Sequence, residues 1–260
     1  NLLTFYNKLQ NKKFNIIKEF SLDNRFYKNE KSKYSINKKL KKNKVNILII
    51  GNSHAVDSYI IFNELYSYND NLNFILLGTQ ISCLKKSSKN KLCREKLKEE
   101  QFELIEMSDY LVFSTRWSEE DVNYLDSIVK KLNNEKNKII IMSDSPTFHW
   151  SNIFTPLDKF VLRNNKKPSL KEIDQLEKVL FKQIPNSVFK NNKKLEKISK
   201  KNNLTYLNKF NYACNLYEKK CKILTSQNKK IYYDNSHYTL DGNFYFVYLF
   251  KKLGWSELFK

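Results

Sequence analysis

The run Ile47-Leu48-Ile49-Ile50 stops at Gly51 and is followed at once by Asn52, Ser53 and His54. An unbroken aliphatic run without polar alternation reads as a strand covered on both faces, the habit of parallel sheets. Loops that leave the carboxyl ends of such strands carry the chemistry of α/β proteins, so this strand delivers the Ser53 hydroxyl to a place where it can react. Near the other end of the chain, Tyr233-Asp234-Asn235-Ser236-His237-Tyr238 offers a carboxylate and an imidazole three residues apart. A serine hydroxyl needs a base to become a nucleophile, and the base needs an acid to orient it. Only three histidines exist in the chain, His54, His149 and His237, and the last stands in that segment.

Between these two blocks, strand and helix patterns alternate. Strands are expected over 45–50, over Phe74–Leu77 with a stop at Gly78, over Asp109–Ser114, over Ile139–Met142 and over Leu204–Leu207. Helices are expected over 54–68, 94–107, 119–133, about 187–201 and about 241–252. The helix over 119–133 is the clearest, with Val122, Leu125, Ile128, Val129 and Leu132 on one face and acidic residues at its start. Ser169-Leu170-Lys171-Glu172 matches a capping box and opens a helix through Ile173, Leu176, Val179 and Leu180. Residues 147–168 read as an irregular excursion. The alternation predicts a three-layer α/β/α sandwich around a mostly parallel sheet, flavodoxin-like in outline. Residues 1–44, rich in Lys and Asn and devoid of Gly and Pro, read as a partly helical arm or linker ahead of a domain over 45–260.

Bulk properties narrow the options. The chain has 260 residues, 41% of them hydrophobic and 14% aromatic, enough for one large domain. No stretch approaches the ~18 consecutive apolar residues of a membrane helix. The chain starts with Asn1, so a signal peptide or membrane segment is expected to have preceded it. The formal charge of +20 invites a nucleic-acid reading, but it is almost all Lys, with Arg only at Arg25, Arg94, Arg116 and Arg163. Readers of phosphate and bases favour the bidentate Arg fork. Lysines scattered among asparagines look instead like a compositional bias, and no nucleic-acid partner is expected. Cys83, Cys93, Cys214 and Cys221 lack zinc-site spacing, and no metal is expected. Two disulfides in an oxidising compartment is the simplest account, with the local pairing least costly in sequence distance among the possible connectivities.

The order of the blocks, nucleophile first and acid with base last, resembles the SGNH hydrolase superfamily. Gly51-Asn52-Ser53-His54 is similar to its first block, usually Gly-Asp-Ser, and Asp234-Asn235-Ser236-His237 to its last. The likeness narrows further. Gly-Asn-Ser-His-Ala at the first strand, a Cys soon after the second, Arg116-Trp117 after the third and Asp234-x-x-His237-Tyr238-Thr239 resemble the SGNH domain fused to membrane proteins of the acyltransferase-3 family. This resemblance covers about residues 45–255.

Such a relationship implies Ser53 as nucleophile, His237 as base and Asp234 as its orienting acid. It implies O-acyl, chiefly O-acetyl, transfer to a bacterial surface polysaccharide. The domain itself would bind no cofactor, and its acyl donor would come from a fused or associated membrane domain that uses acetyl-CoA. The site would be periplasmic or extracytoplasmic, and residues 1–44 would follow a missing membrane region. Gly78 and Ser82 compete for the second-block oxyanion position. No Gly-x-Asn-Asp third block exists, and Ser114-Thr115-Arg116-Trp117 stands where it would be, so Arg116 is a candidate for the oxyanion or a substrate carboxylate and Trp117 for a sugar face. His54 and His149 read as structural, with a sugar site as the alternative for His149; Asp144 stands at the sheet edge where substrate contact is an option, with a helix N-cap the favoured role. An esterase that removes acyl groups, or a glycan-binding module without activity, are the alternatives.

Overall fold

The computed structural model describes residues 24–84, 97–132, 138–149 and 154–259. Five strands, β1 (Val45–Gly51), β2 (Leu72–Gly78), β3 (Tyr110–Phe113), β4 (Lys138–Met142) and β5 (Thr205–Leu207), form one sheet in the order β2-β1-β3-β4-β5. All four pairings are parallel. The chain steps from β1 outward to β2 and then back across to β3. That reversal opens a crevice at the carboxyl ends of β1 and β3, the usual seat of a site in such sheets.

Covering both faces explains the aliphatic runs. Successive residues of a strand point to opposite sides, and β1 sends Ile47 and Ile49 into one core and Leu48 and Ile50 into the other, all fully buried. On the first side lie α2 (Ser53–Leu65) and α9 (Leu240–Lys252), which bring Phe62, Phe246 and Phe250. On the second side lie α4 (Glu119–Leu132) and α7 (Asn186–Lys201), with Val122, Leu125, Val129 and Leu195. Each such side chain contributes about 1.5–3 kcal/mol on burial, so the strand that positions Ser53 is among the most firmly held parts of the chain. The architecture is the three-layer α/β/α sandwich expected.

Several local expectations need revision. Residues 147–168 are not irregular throughout, since Pro156–Asn164 form helix α5. Thr155 and Asp158 make its capping box, and Asp158 pairs with Lys230 at 2.8 Å, both side chains almost fully buried. The helix expected from residue 94 begins, within the described residues, at Glu99, as α3 (Glu99–Met107) capped by Lys98. Asp144 caps no helix. It follows β4 outside any helix or strand, and its N–H donates to Asn192 Oδ1 at 2.7 Å. Helix α6 (Leu170–Lys182) starts at the Ser169 capping box as its pattern predicts.

The N-terminal segment makes specific contacts with the α/β layers. Asn24–Ser32 form α1, in which Tyr27 is buried and stacks on Tyr233 at 6.1 Å. Lys31, also buried, forms an ion pair with Asp57 of α2 and donates to the Tyr238 carbonyl at 3.2 Å. Short helix α8 (Phe210–Ala213) leads into a small hairpin of β6 (Cys214–Asn215) and β7 (Lys220–Cys221). A Cys214–Cys221 disulfide closes that hairpin. Cys83 is also disulfide-bonded, and its expected partner Cys93 lies outside the described residues.

Candidate active site

Gly51 lets the strand end where it does. A Cβ there would lie 2.0 Å from the Ser114 carbonyl oxygen, so only glycine allows the ends of β1 and β3 to approach this closely. Asn52 then ties three segments together. Its Oδ1 accepts from the N–H groups of His54 and Arg116, each at 3.1 Å, and its Nδ2 donates to the Arg116 carbonyl at 3.3 Å. An ionised Asp in its place would keep the first two bonds and lose the third, because a carboxylate has no proton to donate. Ser53 is the first residue of α2, exposed at the crevice. As in any first helical turn, its backbone N–H has no partner within the helix.

The other half of the site is built by one carboxylate. Asp234 Oδ1 accepts from the backbone N–H groups of Ser236 at 3.0 Å and His237 at 2.8 Å, folding the loop into a tight turn. The same carboxylate holds the ring, with Oδ2 2.8 Å from His237 Nδ1. The proton therefore belongs on Nδ1, and Nε2 is left as an acceptor, 2.7 Å from Ser53 Oγ. Burial pushes the Asp234 carboxyl up, but its hydrogen bond and attraction to His237, with the two N–H groups, outweigh this and hold it below the usual range. Tyr233 stacks on the imidazole at 5.7 Å and His54 packs against it at 4.9 Å. Beyond the loop, Thr239 caps α9 by accepting from Gly242 N–H at 2.9 Å. Gly242 is required there, since a Cβ would meet the Ile231 carbonyl at 2.5 Å.

A buried polar layer lies beneath. Lys209 donates to Ser114 Oγ at 3.0 Å, and Ser114 and Ser58 share a hydrogen bond of 2.6 Å. Burial lowers Lys209 to about 8 even though Asp144 and Asp57 favour its charge. His54 is almost fully enclosed, and burial, followed by the nearby positive charges, keeps its pKa well below the ordinary value. Neither ring nitrogen of His54 has a hydrogen-bond partner, which fits a neutral packing residue against His237. His149 is exposed, and its backbone N–H donates to Gln183 O at 2.6 Å.

A cleft of about 580 Å³ is lined among others by Asn52, Gln80, Arg116, Trp117, Asp144 and Thr147; it includes the residue before Ser53 but neither Ser53 nor His237. Of the remaining residues singled out by the sequence, Arg116 is exposed at this cleft. Trp117 is 3% exposed and its indole N–H donates to Met142 O at 3.0 Å, so the ring is a core residue and not an open stacking platform. Gly78 ends β2 opposite Gly51. Ser82 is buried in the 3₁₀ turn Ile81–Leu84, and its N–H donates to Asp121 Oδ1 at 2.9 Å. Neither Gly78 nor Ser82 is among the lining residues. Asp144, read from sequence at the sheet edge and favoured as a cap, lies in the lining, 2% exposed, with burial lifting its carboxyl to about 7. Among the described residues, no three His, Cys, Asp or Glu side chains gather as metal ligands.

Comparison with known proteins places this geometry in context. Residues 23–252 match the family described as "SGNH domain (fused to AT3 domains)". Among solved structures, the periplasmic domain of a lipopolysaccharide acetyltransferase from Salmonella ser. Paratyphi A superposes with a TM-score of 0.63 at 18% identity, over 92% of this chain and 97% of that one. An acetylxylan esterase from Geobacillus stearothermophilus gives a TM-score of 0.46 at 12% identity, over 83% of this chain and 97% of its own. A GDSL-like lipase from Bacteroides thetaiotaomicron gives 0.45 at 14% identity, over 89% and 97%. No curated protein matches the chain.

Proposed function

The chain belongs to the family of SGNH domains fused to AT3 domains, and on that premise we propose that it transfers acyl groups, chiefly acetyl, to a surface polysaccharide through an ester on Ser53. The observation that carries this reading is the unbroken line from Ser53 Oγ through His237 to Asp234, at 2.7 and 2.8 Å. Ser53 Oγ attacks the acyl carbonyl carbon while His237 Nε2 takes the hydroxyl proton. Asp234 keeps the imidazole in the tautomer that can accept it and stabilises the imidazolium formed. Negative charge gathers on the carbonyl oxygen, where the N–H of Ser53 at the start of α2 is a ready donor and Arg116 a cation at the cleft. The leaving group departs with the proton from His237 and leaves an acyl ester on Ser53. In the second half a sugar hydroxyl attacks that ester, His237 takes its proton, and Ser53 Oγ leaves and recovers the proton. Oxygen, acyl group and proton are all accounted for without a further reagent.

In this reading the acyl donor is supplied by a fused or associated AT3 membrane domain fed by acetyl-CoA, on the extracytoplasmic side of the membrane. The Cys214–Cys221 disulfide supports an oxidising compartment. Among the described residues no helix is long and apolar enough to cross a membrane. Deacylation of a glycan is the second reading, favoured by the exposure of Ser53 to water. It uses the same three residues with water in the acceptor's place. Incubation with p-nitrophenyl acetate, with and without glycan, separates the two. Acetyl-sugar formed with wild type and absent with Ser53→Ala supports transfer. Acetate alone supports the esterase, and release independent of Ser53 refutes both.

A further inference from the structure

Helix α1 touches both halves of the catalytic site, and one side chain does most of it. Lys31, 8% exposed, forms an ion pair with Asp57 and donates to the Tyr238 carbonyl at 3.2 Å. Asp57 stands four residues after Ser53 in α2, one turn on and along the same face. Tyr238 follows His237 directly. Apart from the Ser53–His237 contact, no hydrogen bond among the described residues joins α2 directly to the loop 233–239, and Lys31 supplies the bridge. The same ammonium lies 5.6 Å from the centre of the Tyr233 ring. Tyr27, one turn earlier in α1 and buried, stacks on Tyr233 at 6.1 Å with the ring planes 15° apart. Tyr233 in turn stacks on the His237 imidazole at 5.7 Å and 12°. Three nearly parallel rings thus run from α1 to the base. The segment is itself moored to α2, because Tyr34 Oη donates to Glu64 at 2.5 Å and accepts from Asn63 at 2.9 Å.

We propose that Lys31 and Tyr27 are positioning residues for acyl transfer. Lys31 holds the nucleophile helix and the peptide beside the base at a fixed separation. Tyr27, through Tyr233, holds the plane of the imidazole. Together they make α1 the element that sets the Ser53–His237 contact of 2.7 Å. The inference rests on the reading of Ser53 as nucleophile and extends its site beyond the three residues that react. Stability alone does not call for such a bridge. Replacing a buried ion pair by apolar side chains is often neutral or stabilising, so a strap that only had to pack would do as well without charges. Proton transfer is more demanding, since a misplacement of ~1 Å can cost about 10²-fold in rate. Lys31 and Tyr27 act on the reacting groups only through Asp57, Tyr238 and Tyr233, which is why they position and do not catalyse.

The test compares wild type with Lys31→Met/Asp57→Ala and with Tyr27→Leu. The double substitution removes both charges together, so neither is left buried alone and the net charge of the pair stays at zero. Tyr27→Leu keeps an apolar side chain, loses the stack and leaves the ion pair in place. Circular dichroism and urea unfolding check that each variant is folded. With p-nitrophenyl acetate, kcat is expected to fall by about 10–100-fold in each, with KM within about two-fold of wild type. A strap that only stabilised the fold would shift the urea midpoint and leave kcat of the folded protein within about two-fold, which would overturn the proposal. The second readout is the nitrogen NMR signal of His237 Nε2, which differs between wild type and Ser53→Ala when the serine hydroxyl is bonded to it. In both variants it is expected to move at least halfway towards its position in Ser53→Ala. A signal that stays at the wild-type position, or a wild-type signal that Ser53→Ala does not move, overturns the proposal whatever the rates do. Acetate release that persists in Ser53→Ala sinks the acyl-transfer reading instead, and the nitrogen signal then decides by itself whether α1 sets the contact.

Discussion

Two sets of polar side chains meet at the carboxyl edge of the sheet, and they are satisfied in opposite ways. Along Ser53, His237 and Asp234 each side chain finds its neighbour, and Asp234 also gathers two backbone N–H groups. At the cleft floor a few residues away, Asp144 Oδ1 and Thr147 Oγ1 are buried and unpaired. A closed network fixes its geometry before any substrate arrives, which is what proton transfer requires. Unpaired acceptors fix nothing by themselves, and these two are closed off from solvent. The contrast separates a network poised for proton transfer from a buried polar layer beside the cleft.

Breaking the closed network should have the largest effect. Ser53→Ala removes the nucleophile and should cut acyl turnover by at least about 10³-fold, read as acetate release at saturating donor. Asp234→Asn should cost about 10³–10⁴-fold, because the amide can present its N–H to His237 Nδ1 and so stabilise the wrong tautomer. A loss of only a few-fold would mean that Asp234 merely shapes the turn. Lys31→Ala breaks a buried ion pair and leaves Asp57 without its paired ammonium, with side chains 8% and 4% exposed. The expected loss is about 3–5 kcal/mol of stability in urea unfolding. Stability unchanged within error would show that α1 is not integral to the fold.

The unpaired floor can be sharpened by pH. Burial is the main cause that lifts Asp144 to about 7, against the pull of Lys209, Arg116 and the two N–H groups. An acid whose folded pKa lies above its unfolded value of ~3.9 destabilises the folded state progressively as pH rises from about 4 through about 7. Asn cannot ionise, so the Tm of Asp144→Asn should gain on wild type across that window and level off above it. A gap that does not change with pH would remove the buried, ionisable floor. The smallest effect is expected at the surface. Lys178 and Asp174 pair at 2.6 Å, but their side chains are 52% and 40% exposed. Lys178→Ala should therefore change stability by less than about 1 kcal/mol, the baseline for the buried pair at Lys31.

What could be read in the sequence was local or carried by pattern. The aliphatic run before Gly51, the apolar face of 119–132 and the Ser169 capping box each specify structure within a few residues. The pairing of Ser53 with His237, 184 positions apart, is long-range, but the family resemblance made it legible. Helix α5 was missed because it buries only Leu157, Asp158 and Val161, too few to show a period, although Thr155-Pro156-Leu157-Asp158 was a start signal in plain view. For Asp144 the sheet-edge position was legible, but the favoured cap role was not met, because Asp is a common N-cap residue and no helix follows it directly. Its surroundings come from Asn192, 48 positions later, and from the loop after β3. Lys31 and Lys209 were invisible for a different reason. In a chain where Lys dominates the charge, nothing marks the two that fold inward to meet Asp57 and Ser114.

The central claim is that Ser53 carries the acyl group. Mixing the protein with p-nitrophenyl acetate, quenching in acid within the first turnover and mapping the peptides by mass spectrometry tests it most directly. The account predicts one added acetyl group, on the peptide that contains Ser53, absent from Ser53→Ala and lost on standing with a sugar acceptor. An acetyl group found on another residue, or turnover with no acetylated peptide in either protein, would contradict it.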